Sequence, residues 1–196
     1  MKKTIATLVL GISMSSAAFA DGSNMYVALD AGQTKFKDAC TGAPATVSCK
    51  DNDTALRIAS GYNFTPMWGI EVSYADLGKA AFSGTLAGIP FSAGYKSTAL
   101  QISGTGTFAI NDAFSILAKI GIVSSNSKLD VAVPGVGAAG TSATKTTGGF
   151  GVGAQYNFNR NFAIRAQYED LGTFGDSNTT GTTKVQLLSA GLVYHF

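Results

Sequence analysis

From Asn24 to Phe196 no apolar periodicity of 3.6 residues persists. Instead, eight segments of about ten residues alternate apolar with small or polar side chains. Such a chain must form strands whose two faces meet different surroundings. The segments run Asn24 to Lys35, Thr54 to Phe64, Trp68 to Leu77, Tyr95 to Phe108, Phe114 to Ser124, Thr147 to Phe158, Phe162 to Leu171 and Lys184 to Phe196. Their connections alternate too. Thr65 to Met67, Ala109 to Ala113 and Asn159 to Asn161 are short, whereas Phe36 to Asp53, Gly78 to Gly94, Ser125 to Thr146 and Gly172 to Thr183 are long. Membrane-spanning barrels carry this asymmetry, with tight turns at one rim and longer loops at the other.

One face of every segment avoids charge. It comprises Met25, Val27 and Leu29; Leu56, Ile58 and Tyr62; Ile70, Val72 and Tyr74; Leu100 and Ile102; Ile116, Ile120 and Ile122; Phe150, Val152 and Tyr156; Ile164 and Tyr168; Leu188, Leu192 and Tyr194. A lysine or arginine facing lipid at the bilayer midplane costs roughly 2–4 kcal/mol, enough to account for that absence. Alternation alone would also suit a soluble barrel with its apolar face inward. Aromatic placement separates the two readings, because Phe64 and Trp68, Phe108 and Phe114, and Phe158 and Phe162 flank the short turns, with Phe196 at the end of the chain. Rings collected at one rim are expected at a membrane interface, and an eight-stranded interior is too narrow to hold them all.

The N-terminus pairs Lys2 and Lys3 with an apolar stretch from Ile5 to Ile12 and ends in Ala18-Phe19-Ala20, the layout of a secretory signal peptide. The stretch is shorter than the roughly 20 residues a membrane helix needs. Residues 1–20 are therefore expected to be removed, leaving 21–196 as one barrel domain. Loss of the two lysines leaves twelve basic residues against twelve acidic ones, so nothing resembles a nucleic-acid footprint. Cys40 and Cys49, the only cysteines, are expected to bond in an oxidising compartment. Their spacing fits no zinc or redox motif.

The run Gly61-Tyr-Asn-Phe-Thr-Pro-Met-Trp-Gly-Ile-Glu-Val-Ser-Tyr-Ala-Asp-Leu-Gly78 recurs, altered and without a gap, as Gln155-Tyr-Asn-Phe-Asn-Arg-Asn-Phe-Ala-Ile-Arg-Ala-Gln-Tyr-Glu-Asp-Leu-Gly172. In this aromatic-flanked turn, and in a following strand that ends in a Tyr-x-x-Leu-Gly type motif, the chain resembles the OmpA-like family of outer-membrane barrels from Asn24 to Phe196. The final alternation of Leu188, Ala190, Leu192, Tyr194 and Phe196 is similar to the signal read by the barrel-assembly machinery in that family. The resemblance implies an all-β, eight-stranded antiparallel up-and-down transmembrane barrel in the outer membrane of a Gram-negative cell, surrounded by lipid and lipopolysaccharide. Longer family members add a periplasmic peptidoglycan-binding domain; this chain ends at the barrel, so no cell-wall anchoring is expected.

Little in the sequence suggests catalysis or a cofactor. The only histidine, His195, falls at the short-turn rim with no nucleophile, base and orienting group assembled around it. Gly135-Val-Gly-Ala-Ala-Gly140 matches a dinucleotide fingerprint in form but follows Pro134 in a predicted loop, with no helix after it, and reads as a flexible tip. Phe82, Leu86, Ile89 and Phe91 place many apolar groups in the second long connection. They form either a hairpin rising above the membrane with its own cluster or a partner-binding loop. Asp30, Arg57, Glu71, Lys119, Arg165 and Glu169 are expected to face the lumen. Glu71 and Arg165 hold the same position of the repeat, hence the same height half a barrel apart, and are expected to pair across it. The functional expectation is a structural or surface-interaction barrel with a plugged polar lumen and loops that meet an extracellular or host ligand. A narrow porin-like channel and a lipid-modifying enzyme are the alternatives.

Overall fold

The computed structural model describes residues 24–196 apart from 38, 43, 45, 46, 87, 88 and 136, so the expected signal peptide lies outside the described residues. All eight anticipated strands form, with one short addition: β1 (Met25–Lys37), β2 (Val47–Lys50), β3 (Asn52–Asn63), β4 (Trp68–Leu86), β5 (Ile89–Ala109), β6 (Phe114–Val133), β7 (Gly137–Asn157), β8 (Phe162–Asp176) and β9 (Gly181–His195). Every pairing is antiparallel. β1 pairs with both β3 and β9, and β4 with β5 completes the ring, so eight strands close on themselves and leave no unpaired edge within the barrel wall. β2 stands apart from the ring and pairs with β4 from Val47↔Gly84 to Lys50↔Ala81.

The three short turns share one chemistry. Thr65 Oγ1 accepts from the Trp68 amide at 2.9 Å, while Asn111 Oδ1 and Asn159 Oδ1 accept from the Phe114 and Phe162 amides at 2.8 Å. A short polar side chain thus satisfies the turn amide. The flanking rings lie against one another along this rim, as Tyr62–Phe64, Tyr156–Phe158, Phe162–Tyr194 and Tyr194–Phe196. The charge-free faces point outward, with Ile120 73% exposed and Leu29, Leu188, Leu192 and Ile122 likewise presented to the surroundings.

Three of the four long connections are much shorter than the sequence predicts. β4 and β5 continue to Leu86 and from Ile89, β6 and β7 to Val133 and from Gly137, and β8 and β9 to Asp176 and from Gly181. The expected flexible tip at Gly135–Gly140 is a tight turn at Pro134 and Gly135 followed by strand from Gly137. Beyond the lipid belt both faces carry Ser, Thr, Gly and Ala, so the alternation fades although the hydrogen-bond ladder continues. A second cause is local. Asp76-Leu77-Gly78 and Asp170-Leu171-Gly172 each insert a bulge that shifts the pairing register. In each, the Asp Oδ1 accepts the Gly amide, at 3.0 Å and 2.9 Å, and Gly78 and Gly172 take φ of 71° and 81°. These are conformations that glycine adopts without strain. The repeated motif is therefore a pair of bulges, which flip the strand phase at the point where the sequence reading ended both strands.

Above the belt, β4, β5, β6 and β7 continue as one sheet, with β2 along the far side of β4. Cys49 on β2 bonds Cys40 just after β1, with Cα atoms 5.8 Å apart.

Candidate functional site

Strand register stacks the interior in layers. Along β1 the inward residues are Tyr26, Ala28, Asp30, Thr34 and Phe36, read from the short-turn rim upward. All six charged residues expected in the lumen are buried there, Glu71 being 2%, Arg165 3% and Glu169 0% exposed. Arg57 sits directly opposite Asp30 in the β1–β3 pairing, and its Nε and Nη2 donate to Asp30 Oδ2 at 2.9 and 2.7 Å. Its Nη1 reaches across to donate to Glu169 Oε1 and lies 3.6 Å from Glu71 Oε1.

Glu71 is the hub. Arg165 Nη1 donates to its Oε2 at 2.8 Å, and Lys119 Nζ donates to its Oε1 at 3.0 Å while standing 3.1 Å from Glu169 Oε1. Arg165 Nη2 is 3.7 Å from Asp30 Oδ2. The pairings therefore combine a neighbouring-strand contact, Arg57–Asp30, with contacts that cross the lumen between β4 and β8. Three cations and three carboxylates balance, which is how ionised groups are accommodated in a closed interior.

Tyr26 was missed by the sequence reading. Its hydroxyl donates to Glu71 Oε2 at 2.9 Å, and the Arg165 guanidinium carbon lies 5.8 Å from the centre of its ring. Its inward phase on the first strand, opposite Met25 and Val27, was the signal available.

Below the charged layer a cavity of about 840 Å³ faces the short-turn rim. Its walls include Asn63, Thr107, Gln155 and His195, with Glu71, Lys119, Arg165 and Tyr26 toward its inner end. His195 is half-buried, 3.4 Å from the Gln155 amide nitrogen, its ring tilted against Tyr26. Above the charged layer the interior turns apolar, and Phe36, Leu77, Val123, Leu171, Phe174, Val185 and Leu187 form one buried cluster. The bulges supply part of it, because Leu77 and Leu171 are their central residues. The alternation along the strands predicts a polar interior, and this apolar layer departs from it.

The apolar residues of the second long connection lie on the β4–β5 hairpin. Phe82 packs against the upper cluster and Phe91 is half-buried opposite Gly84, whereas the side chains of Leu86 and Ile89 lie outside the described residues. No group of three or more His, Cys, Asp or Glu among the described residues is arranged to hold a metal ion.

A closed ring of eight antiparallel strands, an apolar outer belt, aromatic rings collected at one rim and a charge-balanced interior together define a transmembrane β-barrel of the outer-membrane type. Residues 20–196 match the OmpA-like transmembrane domain, and the chain belongs to that family and to the outer membrane. It is 26% identical over 201 residues to outer membrane protein A of Shigella flexneri and 25% identical to that of Salmonella typhi, each alignment taking in all of this chain and 56% of the relative. The chain thus spans little more than half the length of these relatives. Among solved structures, Ail of Yersinia pestis superposes with a TM-score of 0.59 at 19% identity, covering 90% of this chain and all of that one. Neisserial surface protein A follows at 0.55 and 17%, with the same coverage.

Proposed function

We propose that this chain is a surface-interaction barrel whose lumen is plugged and whose contacts with the outside are made by the hairpins above the membrane. The carrying observation is the sequence of layers in the lumen: the cavity open at the short-turn rim ends at the Glu71 cluster, and the apolar cluster of Phe36, Leu77, Leu171 and Phe174 lies beyond it. By the usual orientation of such barrels the short turns face the periplasm and the extended hairpins face outward. The surface on offer is then the sheet of β4 to β7, including Phe82 and Phe91 at the β4–β5 hairpin, held on one side by β2 and its disulfide. Ail, a barrel with the same fold, has been solved in complex with the heparin analogue sucrose octasulfate, which supports ligand contact as a role for small barrels of this shape.

The reading is non-enzymatic. It is supported by the position of the single histidine at the cavity rim, between Gln155 and Tyr26. The outward alternation of Leu188, Leu192 and Phe196 along the last strand, with the Tyr194 ring between Phe162 and Phe196, supports recognition by the barrel-assembly machinery.

A narrow channel is the second reading, favoured by the cavity that runs from the short-turn rim up to Glu71, Lys119 and Arg165. Planar-bilayer recording of the purified protein separates the two. A silent membrane is expected, and discrete, sustained openings would overturn the plugged-lumen role in favour of the channel.

A further inference from the structure

The sheet above the membrane has two edges, and they are treated differently. On one side β2 is four residues long, includes Lys50 and is tied down by the Cys40–Cys49 bond. A short, charged, covalently held strand is a blunted edge. On the other side β7 pairs with β6 along its whole upper length, from Val133↔Gly137 to Ser124↔Thr146. It meets β8 only from Phe150↔Asp170 downward. The bulge at Gly172 packs beside Thr147 and Gly148 and ends the contact there. From Gly137 to Thr146, no described residue pairs with the side of β7 turned away from β6.

Of the usual edge protections this strand carries one, a single lysine. The segment reads Gly-Ala-Ala-Gly-Thr-Ser-Ala-Thr-Lys-Thr, with no proline, no carboxylate and one cation, Lys145. Its register with β6 is unbroken, so no bulge twists it away. Residues 137–142 are exposed throughout. A long strand of small side chains in unbroken register presents alternate backbone N–H and C=O groups that another extended backbone matches, and small side chains let that backbone approach closely.

A second copy in the same membrane does not fit. Two barrels inserted alike are related by rotation about the membrane normal, so their β7 strands both descend toward the lipid. With strands tilted about 40° from the barrel axis they would cross at roughly 80°, too steep for a continuous ladder. A segment of a soluble polypeptide is free to align.

We propose that the Gly137–Thr146 edge of β7 is a docking site for an extended segment of an extracellular polypeptide, added to the sheet as a further strand. The partner segment is uncharged or acidic, because the one charge on the edge is Lys145, and it is rich in β-branched residues, which suit a pleated surface. This deepens the surface-interaction role, yet it can fail while that role stands, since the β4–β5 hairpin and the remaining turns would still be exposed.

Amide hydrogen exchange of the protein in lipid nanodiscs tests it. The probe is a synthetic peptide of about ten residues, alternating Thr and Val and carrying one Glu. Alone, alternate amides between Gly137 and Thr146 should exchange freely. With saturating peptide they should slow by about tenfold or more, as expected when open amides enter a ladder. Backbone N-methylation of the peptide on one alternate set of residues should abolish the effect, and methylation on the other set should leave it. No slowing, or equal slowing with both methylated peptides, would overturn the proposal. Protection that rises with protein concentration in the absence of peptide would overturn it as well and would assign the edge to a second copy. Bilayer conductance is unaffected by any of these outcomes and continues to report on the plugged lumen alone.

Discussion

Replacing Glu71 by Gln removes the negative charge that faces Arg165, Lys119 and Arg57, and leaves one amide oxygen to accept where two carboxylate oxygens accept from Arg165, Tyr26 and Lys119. Breaking a buried pair by removing one partner costs about 3–5 kcal/mol, and a hub with several donors belongs at the upper end. Arg165→Gln is milder, because Glu71 keeps Lys119 and Tyr26; loss of one hydrogen bond between charged groups costs roughly 1.5–3 kcal/mol. The double variant removes one charge of each sign and leaves Arg57–Asp30 and Lys119–Glu169 in place. It should therefore be more stable than the sum of the single effects by at least about 1 kcal/mol, within the range seen for residues in one network. Urea unfolding of the barrel in lipid vesicles, followed by Trp68 fluorescence, measures all four corners of this cycle. Single effects that add within about 0.5 kcal/mol would refute the coupling. The full charge swap, Glu71→Arg with Arg165→Glu, should recover only part of the loss, since an arginine at 71 would face Lys119 and Arg57 and a glutamate at 165 would face Asp30.

Gly172→Ala should lower stability by about 1–3 kcal/mol, because its φ of 81° is left-handed and a Cβ would stand 2.6 Å from the Gly148 carbonyl oxygen. Gly181→Ala, with a similar φ of 72° and nothing within 4 Å, should cost less in the same unfolding assay. Ile120→Arg, which puts a cation on the lipid face, should destabilise the barrel by roughly 2–4 kcal/mol in bilayers, and a loss no larger in lipid than in a denaturant-matched detergent control would count against the lipid-facing assignment. Reduction of Cys40–Cys49 opens a loop with a sequence separation of 9 and should cost no more than about 3 kcal/mol while leaving the ring of eight strands folded, as read by gel mobility without heating. Protease added to intact cells should nick the exposed turn at Pro134 and Gly135, and cutting at Thr65 or Asn161 instead would invert the orientation.

The ring itself was legible because the bilayer imposes a simple rule on each strand. One face must lack charge, so Ile120, Leu188 and Val72 announce the membrane side, and their neighbours Lys119, Leu187 and Glu71 must face inward. The internal repeat added height, since equal positions in equal hairpins put Glu71 and Arg165 at one level. Above the lipid that rule lapses. Ser, Thr, Gly and Ala suit either face, so the pattern predicts loops from Gly78 to Gly94 and from Ser125 to Thr146 where β4 to β7 continue. Which groups meet inside was also beyond a one-dimensional pattern. That Tyr26 joins Glu71, that Lys119 bridges two carboxylates, and that Leu77 and Leu171 swing into an apolar layer above them depend on ring closure and on two glycine bulges. Inward direction is a property of a single strand, but contact across the lumen is set by the register of all eight together.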